Sequence, residues 1–381
     1  MYGTARRFRF IVTTIFALTL AGSSGCVGVD DGDEPPLIGE EELGLFAASS
    51  SFLQEAMAVQ EFHTPDLMSD PDIVGTATGL TDDGEPAVLI FTANAAAAGR
   101  LPPTLDGVPV VPQVTGRLVV RKGGGSGVSH RAKQTPPIQL GTSGGWRHDF
   151  FSNAYCCGGT LGSLVNKGGT QHILSNWHVL YGDIVAGNNT PTPRVAAAGD
   201  PVIQPGLLDV NCNANTAQNV ANLVTNGGSL PGNNIDAGIA SVIPGMVRTD
   251  GSILEVGTIS ATPIGASINQ AVKKSGRTTG LSRAKVTGIN GTVTISYETE
   301  CGSGVTAFSQ NYTGQIITSN KNCGFLDGGD SGSLMVQDIT TDPRPVGLLF
   351  AGSTFCFNSS IAIANPIQEV LNFYGATMVG N

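Results

Sequence analysis

The sequence has few charged residues and no excess of basic ones. Only 13% of its 381 residues are Asp, Glu, Lys or Arg, and the formal net charge is −10. This balance argues against a nucleic-acid-binding protein, because no basic face is available to neutralise phosphates. Glycine is abundant instead, with 52 residues. Such a composition is typical of many short strands joined by tight turns and not of a helical bundle.

The chain also lacks a second long apolar segment after its beginning. Its N-terminal apolar run, residues 10–20, is short for a membrane span, which needs ~20 such residues. The run follows Arg6, Arg7 and Arg9 and precedes small residues and Cys26. This order is typical of a secretory signal peptide, so residues 1–25 are predicted to direct export.

Gly25-Cys26 resembles the end of a bacterial lipobox, in which the cysteine is acylated. Cys26 is therefore predicted to carry a lipid anchor, with plain secretion as the alternative. Both predictions place the protein outside the cytoplasm, either in the cell envelope (as an outer-membrane lipoprotein or in the periplasm) or secreted. Any contact with a membrane would run through this anchor.

The six remaining cysteines lack the Cys-x-x-Cys and Cys/His spacings of a zinc site. An even number of cysteines in an exported protein is free to pair as disulfides. No metal or organic cofactor is predicted. The six cysteines are Cys156, Cys157, Cys212, Cys301, Cys323 and Cys356.

Composition changes along the chain predict five segments. A signal peptide (1–25) and an acidic linker (26–45) precede a small α/β domain at 46–121, which is either a prodomain or an accessory domain. In that domain 52–62 has helical spacing, and 73–80 and 87–92 have the pattern of strands. A glycine-rich stretch marks a flexible linker at 122–140. The rest, 141–381, is the predicted catalytic domain.

Short β-branched runs separated by Gly, Asn, Pro and Asp turns dominate residues 141–381, so this region is predicted to be mainly β. One late helix is predicted at 366–374. The clearest strands are Leu161–Val165, His172–Ser175, Ala284–Ile289 and Thr292–Tyr297.

Ser331 lies in the glycine-rich run 328–333 and is the candidate nucleophile. A serine hydroxyl needs a base to remove its proton and backbone N–H groups aimed at the developing oxyanion. Flanking glycines permit a tight turn in which the amides of Gly329 and Ser331 converge. Alone, the run is also compatible with an ordinary β-turn.

The candidate base is His178, which follows the apolar pair 173–174 at the end of a predicted strand. Of the other four histidines, His172 is expected to be exposed at a strand start. An acid is needed to orient the imidazole and stabilise its protonated form. Asp236 is favoured because it leads into a strand of small and apolar residues, with Asp209 and Asp183 as alternatives.

The order His178, Asp236, Ser331, with Cys157-Gly158-Gly159-Thr160-Leu161 upstream, resembles the trypsin/chymotrypsin superfamily. The stretches 174–180 and 272–280 are similar to one group within it, the bacterial trypsin-like proteins related to the plant protein NARROW LEAF 1. The resemblance covers about 136–375. It implies a mainly β fold, a chymotrypsin-like double β-barrel, accompanied here by the small N-terminal α/β domain.

The resemblance also implies roles for individual residues. His178, Asp236 and Ser331 would form a catalytic triad, and Gly329 and Ser331 the oxyanion hole. Phe350, Ala351 and Gly352 would lie on the strand that pairs with substrate main chain, and Cys323 and Cys356 would form a disulfide. No activation site of the Ile-Val-Gly-Gly type is present, which argues against a new N-terminus pairing with Asp330.

The specificity of the predicted enzyme is less well defined. Phe325 stands where trypsin has its pocket aspartate, so a preference for Arg or Lys has no support, although Asp327 nearby keeps it open. An apolar or small residue is expected before the cleaved bond.

Together these patterns predict an exported serine endopeptidase that acts on polypeptides through an acyl-enzyme. The alternative is a surface-anchored binding or scaffolding protein that keeps the protease fold with little or no activity. Oligomeric state is left open by the sequence.

Overall fold

A computed structural model describes residues 44–120, 130–152, 155–181, 196–225, 234–298, 305–320, 324–354 and 360–381. The predicted signal peptide, the lipidation site Cys26 and nearly all of the acidic linker lie outside these ranges. Asp183, Cys301, Cys323 and Cys356 lie outside them as well.

Residues 44–120 form a small mixed region in which one long helix packs on a short sheet. Gln60 and Thr64 of that helix both contact the Thr76 hydroxyl, at 2.8 and 2.6 Å, which fixes the helix on the strand 73–80. The elements are β1 (Phe46–Ala47), α1 (Gln54–Leu67), β2 (Ile73–Leu80), β3 (Pro86–Thr92), α2 (Ala95–Ala98), β4 (Thr104–Leu105), β5 (Val108–Val114) and β6 (Leu118–Val120).

The next part of the chain forms a closed barrel. Its sheet runs in the order β10-β7-β13-β14-β15-β12-β11-β25. Gly162 alone separates β10 from β11, so this continuous stretch of chain closes the barrel. Its elements are β7 (Thr142–Trp146), β8 (Phe150–Ser152), β9 (Tyr155–Cys156), β10 (Gly159–Leu161), β11 (Ser163–Lys167), β12 (Thr170–Ser175), α3 (Trp177–Leu180), β13 (Pro201–Gln204), two 3₁₀ turns (Leu207–Asp209 and Ala214–Thr216), β14 (Gln218–Leu223) and β15 (Gly238–Val242).

A second barrel follows, in the order β19-β22-β23-β24-β21-β20, and it closes because β20 also pairs with β19. Its long hairpin β20–β21 extends beyond the barrel, and β2 pairs with that extension, which joins the N-terminal sheet to the second barrel. The elements are β16 (Ser252–Ile253), β17 (Gly257–Thr258), β18 (Ser267–Ile268), β19 (Ala271–Lys274), β20 (Ser282–Glu298), β21 (Thr306–Asn320), β22 (Leu334–Gln337), β23 (Pro345–Ser353), β24 (Ser360–Pro366), α4 (Ile367–Tyr374) and β25 (Thr377–Met378).

One apolar cluster draws residues from both barrels and from α4. Leu174 and Ile239 of the first barrel pack in it with Leu334 and Leu348 of the second, all nearly inaccessible to solvent. Burial of such side chains stabilises the contact by ~1.5–3 kcal/mol each. The two barrels are therefore held edge to edge by their own cores, and the loops at their junction have a rigid support.

The mainly β prediction, with a chymotrypsin-like pair of barrels, is confirmed by this architecture. One strand prediction was incomplete: 284–289 and 292–297 belong to one strand, β20. Asn290-Gly291, between the two predicted strands, coincides with a register shift and not with a turn. The chain stays extended there because β2 and β21 pair with β20 both before and after these two residues.

Two further expectations differ from the structure. His172 is 6% exposed, because its strand β12 lies between β11 and β15 inside the barrel sheet. Residues 130–140, the second half of the segment predicted as a linker, pack against the first barrel, with Ile138 and Leu140 buried in its core.

In the described ranges, no helix combines the length and apolar character needed to cross a membrane. Among the same residues, no group of three or more His, Cys, Asp or Glu side chains is placed to hold a metal ion.

Candidate active site

His178 and Asp236 are brought together by two neighbouring strands of the first barrel. Ser175 at the end of β12 pairs with Gly238 at the start of β15, so the residues just beyond these strand ends are neighbours. His178 Nδ1 lies 2.6 Å from Asp236 Oδ2, and the His178 backbone N–H donates to Asp236 Oδ1 at 3.2 Å. Both side chains are buried, with 1% and 0% exposed.

The main chain around Asp236 is also tied down. The side-chain amide of Asn176 donates to Asp236 O at 2.7 Å, and the Asp236 N–H donates to Asn365 Oδ1 at 2.9 Å. A carboxylate only accepts hydrogen bonds, so Nδ1 of His178 carries the proton. Among the described residues, Nε2 of the same ring is buried without a hydrogen-bond partner.

Ser331 lies in a turn that only glycine can complete. Gly332 has φ of +93°, and a Cβ there would lie 2.2 Å from Ser175 Oγ and 2.3 Å from Thr160 O. Thr160 N donates to Ser331 O at 2.9 Å. The Ser331 turn thus packs directly on the end of β12, three residues before His178.

The hydroxyl of Ser331 donates to Phe350 O at 3.4 Å. Within the described part of the chain, His178 Nε2 has no hydrogen-bond partner, so there is no hydrogen bond between this nitrogen and Ser331 Oγ. The structure thus joins His178 to Asp236 and packs Ser331 against the same strand end, with its hydroxyl turned to another acceptor.

The predicted oxyanion-hole residues lie in the same turn. Gly329 has φ of +94°, and its carbonyl accepts a hydrogen bond from Thr160 Oγ1 at 2.8 Å. The Gly328 carbonyl accepts one from Thr278 Oγ1. With both carbonyls engaged, the orientation of the following peptide groups is fixed by side chains from both barrels.

Asp330 forms a buried network that the sequence did not reveal. Its carboxylate lies 3.1 Å from Lys274 Nζ, and both side chains are fully buried. It also accepts hydrogen bonds from the backbone N–H groups of Thr278, Thr279 and Asp327. Burial lowers the pKa of Lys274, and the Asp330 charge opposes that shift. Lys274 thus supplies the cation beside Asp330, so a new N-terminus is not needed for that role.

The alternative acids do not compete for His178. Asp209 makes a two-pronged ion pair with Arg277, with both contacts at 2.6 Å, and accepts a hydrogen bond from Ser143 Oγ at 2.6 Å. Asp183 lies outside the described residues. Asp236 is therefore the carboxylate that the described structure places against the imidazole.

Tyr297 is a site residue that the sequence reasoning missed. Its hydroxyl donates to Asp236 Oδ2 at 2.8 Å, and the Tyr312 hydroxyl lies 2.5 Å from it. Burial first, and then the Asp236 charge, raise the pKa of Tyr297 well above its ordinary value. A tyrosine within a predicted strand carried no signal for this role.

The predicted substrate strand already has a partner. Ala351, Gly352 and Ser353 of β23 pair antiparallel with Val120, Val119 and Leu118 of β6. Strand β6 also pairs with β20, so it fills the space between the two strands. The N-terminal region therefore occupies the edge where a substrate main chain is expected.

One disulfide of the described residues joins two cysteines for which the sequence predicted no particular partner. Cys156 is bonded to Cys212, closing a loop with a sequence separation of 56 residues, and Cys157 is also disulfide-bonded. The predicted bridge between Cys323 and Cys356 lies outside the described residues, and remains a prediction.

Comparison with known proteins places these features in a wider context. No protein-family model matches the chain. Streptogrisin-A from Streptomyces griseus is 34% identical over 114 residues, which cover 30% of this chain and 32% of that protein. The match thus spans about a third of the length of this curated relative.

Two solved structures are similar at low identity. A glutamic-acid-specific serine protease has a TM-score of 0.41 at 21% identity, covering 63% of this chain and 100% of that one. Thermobifida fusca Protease A has a TM-score of 0.41 at 20% identity, with 64% and 99% covered.

The two closed barrels, with a histidine–aspartate pair on the first, have the architecture of a chymotrypsin-like fold. The similarity to Streptogrisin-A extends over 30% of this chain and supports a serine protease fold.

Proposed function

We propose that this protein is an exported serine endopeptidase that hydrolyses peptide bonds through an acyl-enzyme, with His178, Asp236 and Ser331 as its triad. One observation carries the proposal. Nδ1 of His178 is held by Asp236, and among the described residues its Nε2 is buried without a hydrogen-bond partner, while the Ser331 turn packs on the strand end three residues before this histidine. A basic nitrogen in that position is what a serine nucleophile needs.

In the first step His178 Nε2 takes the Ser331 proton while Oγ bonds to the substrate carbonyl carbon. This step requires the Ser331 hydroxyl to turn from Phe350 O toward Nε2. The negative charge moves to the carbonyl oxygen, where the amides of Gly329 and Ser331 would stabilise it. The imidazolium then gives its proton to the leaving amine, and the C–N bond breaks. Water repeats the sequence to release the acid and restore Ser331.

A fluorophosphonate probe tests this proposal directly, because it phosphonylates only an activated serine. The wild-type protein is expected to take the label, whereas Ser331→Ala and His178→Ala are not. Ser333→Ala is a matched control, because Ser333 lies two residues after Ser331 in the same turn and its hydroxyl donates to Asp330 O. If the purified, folded mature protein takes no label, the scaffolding alternative is favoured.

The pairing of β6 with β23 supports a prodomain role for residues 46–121. Extended peptides bind such edges by adding a strand, and this edge is covered by the chain's own residues 118–120. Substrate main chain and β6 would compete for the same backbone groups. Peptide hydrolysis therefore requires that β6 leave the edge, by processing or by movement of the N-terminal region.

A proline in β6 tests this role, since proline removes a backbone donor from a strand. Val119→Pro is expected to raise peptidase activity of the unprocessed protein. Val114→Pro, in β5 and away from β23, controls for general damage by proline. The mature N-terminus in cells gives an independent answer: a start near 130–140 indicates removal of the domain, and a start at Cys26 indicates retention.

The sequence also supports export and a membrane anchor. The Cys156–Cys212 bond fits an oxidising compartment. Metabolic labelling with a fatty acid should mark the wild-type protein and not Cys26→Ser. Secretion without an anchor would leave both unlabelled.

For specificity, we propose an apolar or small residue before the cleaved bond. Phe325, which replaces the pocket aspartate, is buried with 1% of its surface exposed and packs with Leu326 and Leu349. Profiling on a diverse peptide library measures the preference, and efficient cleavage after Arg or Lys would contradict it. The relation to the NARROW LEAF 1 group remains a proposal that rests on the stretches 174–180 and 272–280.

A further inference from the structure

A chain of two tyrosine hydroxyls ends on the carboxylate that orients His178. Tyr297 Oη lies 2.8 Å from Asp236 Oδ2, the same oxygen that His178 Nδ1 approaches to 2.6 Å. Tyr312 Oη lies 2.5 Å from Tyr297 Oη. All four side chains are buried, with 1% or less of each residue exposed. Water therefore cannot replace these contacts.

The direction of the hydrogen bonds follows from counting protons. An ionised carboxylate only accepts, and a phenol has a single proton. The Tyr297 hydroxyl therefore donates its one hydrogen bond to Asp236. The hydrogen bond between the two phenols is then donated by Tyr312. Burial, followed by the charge of Asp236, raises the pKa of both phenols, which keeps them protonated and able to donate.

The rings are held in place by packing as well as by hydrogen bonds. Tyr297 stacks on Phe308 with ring centres 4.8 Å apart and planes 4° from parallel, and Tyr312 packs on Phe350 at 5.0 Å. Both tyrosines come from the β20–β21 hairpin of the second barrel, whereas His178 and Asp236 come from the first. The hydroxyl chain thus fixes the carboxylate from the opposite barrel.

A fully buried carboxylate needs donors that compensate for the loss of water. Among the described residues, His178 and Tyr297 are the side chains that hydrogen-bond to the Asp236 carboxylate. Without Tyr297, Oδ2 would have His178 as its one side-chain partner there. Its orientation relative to Nδ1 would then be less strongly determined.

We propose that Tyr297 is a positioning residue of the triad: its hydroxyl, oriented by Tyr312, holds Asp236 Oδ2 in line with His178 Nδ1. The role rests on the proposed peptidase function, since it acts through Asp236 and His178 on the reacting serine. It adds two residues from the second barrel to a catalytic unit that the sequence drew from three positions.

The test compares Tyr297→Phe with the wild type in the full chain, using a fluorophosphonate probe over a range of concentrations. The phenylalanine keeps the ring stacked on Phe308 and removes only the donor. The maximal labelling rate is expected to fall about tenfold, the lower range for loss of one hydrogen bond to a charged group. The half-saturating probe concentration should stay within about twofold.

Two further variants separate positioning from general packing. Tyr312→Phe should give a smaller fall, because its hydroxyl acts through Tyr297. Tyr374→Phe is the matched control: it removes another largely buried hydroxyl nearby, which donates to Ala237 O at 2.7 Å and not to the carboxylate. Its labelling rate should equal that of the wild type.

Proton NMR gives a readout that does not depend on activity. The proton in the short His178–Asp236 hydrogen bond should resonate at very low field, and in Tyr297→Phe this resonance should move or broaden, with no change in Tyr374→Phe. An unchanged resonance and an unchanged labelling rate in Tyr297→Phe would overturn the proposal. Equal losses in Tyr297→Phe and Tyr374→Phe would overturn it too, since they would indicate a packing role.

The same experiments distinguish failure of the peptidase proposal. A mature wild-type protein that takes no label contradicts the peptidase function, while the NMR comparison still decides whether Tyr297 positions Asp236. If Tyr297→Phe does not fold, Tyr312→Phe measured against Tyr374→Phe decides in its place.

Discussion

Removal of the Lys274 ammonium should destabilise the protein more than any single surface substitution. In Lys274→Met the aliphatic stem is largely retained, while the fully buried Asp330 loses the charge that lies 3.1 Å away. Breaking a buried ion pair by removing one partner typically costs ~3–5 kcal/mol. We expect about 3 kcal/mol, because backbone N–H groups still donate to the Asp330 carboxylate.

The neighbouring lysine provides the control. Lys273 lies on the same strand, and its Nζ donates to Ile339 O at 2.6 Å. Loss of this hydrogen bond in Lys273→Met should cost ~1 kcal/mol. The double variant Lys274→Met/Asp330→Asn should lose less than the sum of its single variants, because no uncompensated charge remains.

Equilibrium unfolding in urea, followed by circular dichroism, measures these free energies. The variants are made in a Ser331→Ala background, so that self-cleavage cannot contribute to the loss of signal. A loss in Lys274→Met that is no larger than in Lys273→Met, at an unchanged denaturant slope, would refute the reasoning. In the background with Ser331 restored, Lys274→Met should also react more slowly with a fluorophosphonate, because Asp330 directly precedes Ser331, the proposed nucleophile.

Three more predictions concern the turn, the disulfide and one buried histidine. Gly332→Ala should abolish fluorophosphonate labelling and destabilise the protein, since its Cβ would lie 2.2 Å from a serine oxygen. By contrast, Gly314→Ala, with φ of +70° and open space around it, should cost only ~1 kcal/mol of strain. Replacing both Cys156 and Cys212 by serine opens a loop with a separation of 56 residues and should cost about 4 kcal/mol in urea unfolding by the loop-entropy relation. A decrease in the free energy of unfolding below ~1 kcal/mol in this double variant would contradict the loop-entropy prediction. Burial lowers the pKa of His172, so the unfolded chain binds its proton more readily, and stability should fall as pH drops below about 6.5. In His172→Gln the free energy of unfolding should depend less on pH below about 6.5. An unchanged pH dependence would contradict the role of His172 in it.

Some features of the site could be anticipated from short stretches of sequence. The glycines around Ser331 reflect a turn with positive φ and no room for a Cβ at 332, a local requirement that leaves a local signature. His178 follows an apolar strand, and the structure places it just beyond the end of β12. The choice of Asp236 over Asp209 also agrees with the contacts found, since Asp209 is taken by Arg277.

Other features depended on pairing between distant parts of the chain. The hydroxyl of Tyr297 meets a carboxylate 61 positions away in the sequence. Lys274 at the end of β19 meets Asp330, which lies just before the neighbouring strand β22. Strand periodicity indicates which face of a strand a side chain occupies. It does not indicate which other strand lies opposite.

What the sequence determined by itself was therefore the local content: mainly β elements, glycine turns and the order histidine, aspartate, serine along the chain. The tertiary structure alone decided which residues meet. It determined the Cys156–Cys212 bond, the burial of His172 and the pairing of β6 with β23, the strand predicted to bind substrate. The physical reason is that turn and strand preferences act over a few residues. Barrel closure and strand register act over the whole domain, and they select which side chains meet.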